Sequence, residues 1–230
     1  MSDQDAFERV RSAVERARTA HQAIERWDQE QVDDAVTAIA YAGTRPEVVE
    51  KLATLAAEQS GLGNAADKAT KIVRKTLGTM SDLQGAPSVG VIEVDEARGV
   101  TTIAKPMGVI GCILPSTNSG ATPLNNMMIT LKGRNAVILA PHPKGEATCA
   151  EAVKIARTEL AKLGAPEDLV QWVSLAGANR EEGKAIAAEL LSQVTSKRRS
   201  RRSLRARPST TPRAALPRTL WSSMPPSTTT

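Results

Sequence analysis

Aromatic residues are almost missing: Phe7, Trp27, Tyr41, Trp172 and Trp221 amount to 2% of 230 residues. A platform that stacks nucleic-acid bases on aromatic rings cannot be assembled from so few. The core must instead be packed with Ala, Val, Leu and Ile, and a hydrophobic content of 41% is enough for one. Cysteine is equally scarce. Cys112 and Cys149 lack CxxC spacing, and with only His21 and His142 beside them neither a disulfide framework nor a zinc set is expected. No run of about 18 apolar residues occurs, and acidic residues come early within residues 1–9. Neither a membrane-spanning helix nor a secretory leader is therefore expected, and the setting reads as cytoplasmic. The phosphate-cradling patterns GxGxxG and GxxxxGK[ST] are also missing.

What is present is unevenly distributed. Residues 195–230 hold nine Lys or Arg, no Asp or Glu, five prolines and fourteen Ser or Thr, so the formal charge of +5 belongs to this segment. Residues 1–194 carry 21 basic against 25 acidic residues, a net of −4. A boundary near residue 194 follows, with a disordered basic tail expected beyond it. Such a tail could contact nucleic acid or an anionic surface through phosphates alone. Nucleic acid is expected as a partner by that route only, and a membrane not at all.

The first 84 residues read as helices. Phe7, Val10, Val14, Ala17, Ile24 and Trp27 fall on one stripe. Asp28 or Gln29 opens a second helix carrying Val32, Val36 and Ile39, which Gly43 is expected to end. Pro46 suits the first turn of a third, stopped at Gly61-Leu62-Gly63, and a fourth runs from Asn64 towards Leu83. Residues 88–94 and 100–104 are β-rich and flank a turn at Asp95 to Gly99, which predicts a hairpin. Beyond Pro106, the apolar runs 109–114, 136–139 and 170–173 alternate with helical stretches 122–132 and 145–163. That alternation predicts an α/β fold whose parallel sheet is covered on both faces. Ligands of such sheets lie beyond the carboxyl ends of the strands, so the segments to inspect are Pro115 to Gly120 and Pro141 to Lys144. Both loops should lie on one rim, with Asn118 beside His142.

Each loop has a plain reading. Ser119 or Thr122 caps the following helix, Asn118 closes the turn, and Pro141 to Gly145 is a stiff connection. Cys112 reads as a small core hydrophobe and Cys149 as a packing residue early in its helix. His21, Tyr41 and Trp172 occupy periodic positions and read as core or partly covered surface. The functional reading of Asn118 is an exposed carboxamide that donates to an oxyanion.

Lys105-Pro106-Met107-Gly108-Val109-Ile110-Gly111, then Pro115-Ser116-Thr117-Asn118, then Leu131 to Pro143 (LKGRNAVILAPHP) together resemble the CoA-acylating branch of the aldehyde dehydrogenase superfamily. Gly164 to Val170 resembles that family's turn into its next strand, and the likeness spans roughly residues 5–190. Within the branch, Ser119 to Met128 is most similar to sulfoacetaldehyde dehydrogenases. The resemblance implies a helical segment (1–84), an oligomerisation hairpin (85–105), a partial Rossmann-like NAD(P)-binding domain (106–194) and the tail (195–230). It implies oxidation of an aldehyde to its acyl-CoA, with NAD or NADP as cofactor, coenzyme A as co-substrate and a homo-oligomer as the assembly. Asn118 would stabilise the oxyanion, while Leu114, Pro115, Ser116, Thr117, Pro141, His142 and Pro143 would line the cofactor. Ala140 stands where many hydrolytic relatives carry a ribose-binding lysine, which leaves NAD and NADP both open.

The family's nucleophilic cysteine lies in a catalytic domain downstream of the cofactor domain, and neither Cys112 nor Cys149 matches its motif. The chain is therefore expected to be a C-terminally shortened form, with a change of reading frame near codon 194, and to be inactive as it stands. Two other readings stay open: a binding module whose active part is the basic tail, and a product without function.

Overall fold

The computed structural model describes the backbone of residues 3–175 and 180–202 and the side chains of 6–175 and 181–194. Four helices come first: α1 (Asp3–Ala23), α2 (Gln29–Thr44), α3 (Pro46–Ser60) and α4 (Ala65–Leu83). Local chemistry sets their ends. Asp28 and Gln31 form a capping box, the Asp28 carboxylate accepting from the Gln31 amide at 2.9 Å and the Gln31 carboxamide from the Asp28 amide at 3.1 Å. Arg45, held extended by the following Pro46, separates α2 from α3. Gly61, at φ 65°, supplies the left-handed residue that closes α3, and the Asn64 side chain caps α4 through the Asp67 amide at 2.8 Å.

A two-stranded antiparallel ribbon follows, β1 (Gly90–Asp95) and β2 (Val100–Ala104), with a bulge between Val91 and Glu93. The second sheet is parallel, in the order β3 (Val109–Leu114), β4 (Ala136–Pro141), β5 (Val170–Trp172). Helices α5 (Ala121–Lys132) and α6 (Glu146–Lys162) make the crossovers. They cover one face, backed by α2, α3 and α4, while α1 and α7 (Arg180–Arg202) cover the other. Every residue of β4 is buried, which is why its sequence is apolar without alternation. Removal from water of each large side chain there, such as Ile138 or Leu139, contributes about 1.5–3 kcal/mol.

The expected strands, their parallel arrangement and the hairpin are all present. Four details differ. The backbone of α1 stops at Ala23, so Ile24, although fully buried, lies in the turn after it. Gly43 lies inside α2 and does not end it. A Cβ there would lie 2.7 Å from Leu124 Cδ1, so the glycine is a contact point between α2 and α5. Tyr41 is 67% exposed, because α2 turns that face to solvent, whereas His21 and Trp172 are half-buried. Helix α7 carries its backbone past the compositional boundary at 194 to Arg202. The remainder of the expected tail, residues 203–230, lies outside the described residues. No helix among the described residues is long and apolar enough to cross a membrane.

Two side chains fasten the sheet to the helices. Asn135 accepts from the amides of Met107 at 2.6 Å and Gly108 at 2.9 Å and donates to the Thr130 carbonyl at 3.3 Å. This holds the entry to β3 against the end of α5. Arg134, at φ 54°, sends its guanidinium to the carbonyls of Glu25 and Trp27, at 2.9 and 3.3 Å. A left-handed arginine costs energy, and these bonds to the α1–α2 connection offset it.

Candidate active site

Parallel strands put their carboxyl ends on one rim, and two loops meet there. The first, Pro115 to Gly120, and the second, His142 to Gly145, are joined where the His142 amide donates to the Leu114 carbonyl at 3.0 Å. Leu114 and Pro141 are paired neighbours at the strand ends. Both are buried, so they shape the floor and present no side chain to a ligand. Pro115, Thr117, His142 and Pro143 are exposed, and Ser116 and Asn118 are half-buried. Asn118 and His142 thus share a rim, as their strand-end positions require.

Asn118 closes its turn through its carbonyl, which accepts from the Thr122 amide at 3.1 Å, leaving its carboxamide unpaired among the described residues. The capping expected of Ser119 or Thr122 does not occur: Gly120 is the N-cap of α5 and no side chain caps that end. Ser119 is buried instead, its hydroxyl without a partner among the described residues, because it packs against the second loop. A Cβ on Gly145 would stand 2.7 Å from Ser119 Cβ, so only glycine lets the two loops close. In the second loop the Lys144 amide donates to His142 Nδ1 at 3.1 Å, which makes that nitrogen an acceptor and fixes the ring.

Helix α6 is anchored from both sides. The Gln59 carboxamide of α3 accepts from the Thr148 amide and hydroxyl, each at 2.9 Å. Glu146 takes the Ser174 hydroxyl on one oxygen and the Leu175 amide, at 3.2 Å, on the other. Val173 to Leu175, the stretch that follows β5, is thereby tied to the start of α6 beside the second loop. Nothing local marks Gln59 or Glu146 for these roles, since each acts on a residue at least 28 positions away. Gly145 alone carried a signal, as a small residue at a strand-to-helix turn.

Neither thiol is poised for attack. Burial pushes the Cys149 thiol well above its ordinary pKa, and the nearby Glu146 carboxylate adds to that. Burial also raises Cys112, with a hydrogen bond to the Thr130 side chain working the other way. No group of three or more metal-binding side chains occurs among the described residues. An open groove of about 360 Å³ lies elsewhere, along the flank of α6, between Ala150, Lys154, Arg157 and Trp172. It includes no residue of either loop, and the convergence of loops makes the rim the better candidate.

The aldehyde dehydrogenase family pattern matches residues 3–196. This chain belongs to the aldehyde dehydrogenase family. It is 46% identical over 191 residues to the sulfoacetaldehyde dehydrogenase (acylating) of Cupriavidus necator, a match covering 83% of this chain and 38% of that protein. An acetylating aldehyde dehydrogenase from Geobacillus thermoglucosidasius superposes with a TM-score of 0.76 at 30% identity, over 83% of this chain and 40% of that one. A propionaldehyde dehydrogenase from Rhodopseudomonas palustris, solved with propionyl-CoA, gives 0.63 at 26% identity, over 76% and 38%. An engineered glycolyl-CoA reductase with NADP+ gives 0.62 at 26%, over 76% and 39%. The chain spans about two fifths of the length of these relatives.

The Ser119–Gly145 contact makes a direct prediction. In Gly145→Ala the new methyl meets the Ser119 Cβ, which is not the mobile end of a side chain, so a loop backbone must shift. The expected cost is about 1–3 kcal/mol, read as a lower midpoint in urea unfolding. An unchanged midpoint would show that the loops are not in contact.

Proposed function

We propose that the rim formed by Leu114 to Asn118 and Pro141 to Pro143 is the nicotinamide-cofactor site of an acylating aldehyde dehydrogenase, with Asn118 as its oxyanion donor. The observation that carries this reading is half-buried Asn118 beyond the end of a parallel strand, its carboxamide unpaired among the described residues, on the same rim as exposed His142. The residues present fit a flat cofactor. Pro115 and Pro143 give stiff exposed edges, Thr117 is exposed, and the Ser119–Gly145 contact holds the two loops as one surface. Bound there, NAD or NADP would accept the hydride of an aldehyde oxidation. Asn118 would hold the carbonyl oxygen of the substrate and stabilise negative charge on it. The 46% identity favours a sulfonated aldehyde such as sulfoacetaldehyde, with coenzyme A as the acyl acceptor. Residues 106–194 are then part of a cofactor domain, and 1–84 the helical segment that supports it.

Calorimetric titration of the purified chain with NAD and NADP tests the reading. Saturable binding is expected at up to about millimolar cofactor, weakened at least tenfold in Gly145→Ala, where the rim is pushed apart. Heat of dilution alone, with both nucleotides, would reject it.

Residues 85–105 fit an oligomerisation element. Val91, Val94, Val100 and Ile103 of the ribbon are 51–59% exposed, an unusual density of bare apolar side chains on a two-stranded sheet. Ile103→Lys is expected to shift the chain to a smaller species in light scattering without changing its melting temperature. No change in mass would remove the ribbon from any interface.

A further inference from the structure

Helix α4 carries an unanswered charge. Lys68, Lys71, Arg74 and Lys75 follow one another closely along it, and none of them forms an ion pair among the described residues. The neighbouring carboxylate of Asp67 is turned to the helix start, where it accepts from the Asn64 carboxamide at 2.7 Å. Cations elsewhere in the fold are met: Arg45 by Glu159, Lys51 by Glu151 and Lys132 by Asp33. Lys68 is half-buried, whereas Lys71, Arg74 and Lys75 are exposed. Burial holds the Lys68 ammonium below the ordinary lysine pKa, and the charge of Lys71 adds to that. A cation kept partly out of water beside a second cation, without a carboxylate partner, is stabilised by an anion brought from outside.

The path of the chain says where that anion would lie. Helix α3 ends against the second loop: Gln59 accepts from the Thr148 amide and hydroxyl, and α3 packs on residues 143–145. The chain turns at Gly61, and α4 runs back along α3. Further along α4, Ile72 meets the first loop, because a Cβ on Gly120 would lie 2.7 Å from Ile72 Cδ1. The opening turns of α4 therefore bridge the two loops of the rim. Lys68 precedes Ile72 by four residues, so both lie on the face that α4 sets against Gly120. Helical side chains lean towards the helix start. That lean carries the Lys68 ammonium past Ile72 and over the gap between the loops.

We propose that Lys68, supported by Lys71, is the specificity-determining cation for an aldehyde substrate that carries a sulfonate. This rests on the reading of the rim as the site of an acylating aldehyde dehydrogenase, and it assigns the anionic end of the substrate to α4. In sulfoacetaldehyde a single methylene separates the carbonyl carbon from the sulfonate, so a cation that selects it must stand near the oxyanion donor. Gly120, on which Ile72 rests, is two residues from Asn118. The sulfonate oxygens would accept from the Lys68 ammonium while the carbonyl oxygen accepts from the Asn118 carboxamide. A compact ammonium with rotatable donors suits a tetrahedral head that offers three oxygens. Lys71 raises the local positive potential without touching the substrate. An uncharged aldehyde leaves Lys68 without a partner, and the site thereby discriminates against it.

Calorimetric titration of the full chain with isethionate, an unreactive sulfonate whose hydroxyl oxygen stands in for the carbonyl oxygen, tests the assignment. Saturable binding at about millimolar ligand is expected, and none for ethylene glycol, which lacks the sulfonate. Lys68→Gln should weaken isethionate binding by about tenfold or more. Lys75→Gln removes the same charge from the far side of Ile72 and should leave binding unchanged. Urea unfolding separates this role from a structural one. Lys68 has no partner to lose, so Lys68→Gln should not lower the midpoint without ligand, and isethionate should raise the midpoint of the unaltered chain but not of that variant. Titration with NAD keeps the two readings apart, and Lys68→Gln is expected to bind NAD as the unaltered chain does. NAD binding without saturable isethionate binding overturns this proposal and leaves the cofactor reading standing. Isethionate binding that Lys68→Gln abolishes, in a chain that binds no NAD, does the reverse. Loss of NAD binding in Lys68→Gln would assign the cation to a cofactor phosphate and overturn the proposal. So would isethionate binding that is lost in Lys144→Gln but kept in Lys68→Gln, or that is equal in every variant.

Discussion

Incubated with NAD or NADP, coenzyme A and either acetaldehyde or sulfoacetaldehyde, the purified chain is expected to form no NADH or NADPH above background. Oxidation by this route needs a thiolate to attack the aldehyde carbon before hydride can leave. Asn118 can only stabilise an oxyanion that some nucleophile has already created. The two thiols are held in their neutral form: burial raises Cys149 strongly, reinforced by Glu146, and burial raises Cys112. The sign matters for pH. A raised thiol pKa means that the neutral form persists above the range where an ordinary cysteine ionises, so assays from neutral to mildly alkaline pH should stay silent. Losing a catalytic nucleophile costs on the order of 10⁴-fold or more in turnover, and the chain should fall short of the Geobacillus relative by at least that much. Cys112→Ala and Cys149→Ala should leave the baseline where it is. Turnover that either substitution abolishes would identify a working nucleophile within the 230 residues and refute this account.

Helix starts and the strands themselves were legible because their causes are local. Asp28 with Gln31, Pro46 and Asn64 each act on a backbone within three residues. The apolar runs of β3, β4 and β5 reflect burial on both faces, which leaves a direct mark on composition. Both loops of the site could be placed for the same reason, since each begins where a strand ends. The failures share the opposite cause. Gly43 looked like a stop because glycine usually is one, whereas its role depends on Leu124, eighty-one positions away. Ser119 looked like a cap because serine favours caps. It is buried because Gly145 leaves room for it and the second loop covers it. Arg134 and Asn135 were visible only as part of a family likeness. Their work, bonding the carbonyls of Glu25 and Trp27 and the amides of Met107 and Gly108, is set by tertiary contacts that no spacing rule encodes.

The stability counterpart of the activity prediction concerns Lys132, a lysine only 5% exposed. A buried ammonium is tolerated only when paired, and its partner is Asp33 of α2. Asp33 also accepts from Gln29 Nε2 at 3.0 Å, and the Gln29 carboxamide oxygen in turn accepts from the Ser88 amide at 2.8 Å. One chain of polar contacts therefore runs from α5 through α2 to the stem of the ribbon. Removing one partner of a buried pair costs about 3–5 kcal/mol. The Asp33 side chain is 40% exposed, so water can partly replace it, and Asp33→Ala is expected to cost about 2–3 kcal/mol. Lys132→Met, which replaces the ammonium by an apolar group of similar length, should cost less. The Asp33→Ala/Lys132→Met double variant should be more stable than Asp33→Ala alone, because the stranded charge is gone. Urea unfolding of the four proteins gives the coupling directly. If the double variant loses the sum of the two single losses, Lys132 and Asp33 act independently, and the buried lysine must be satisfied in some other way.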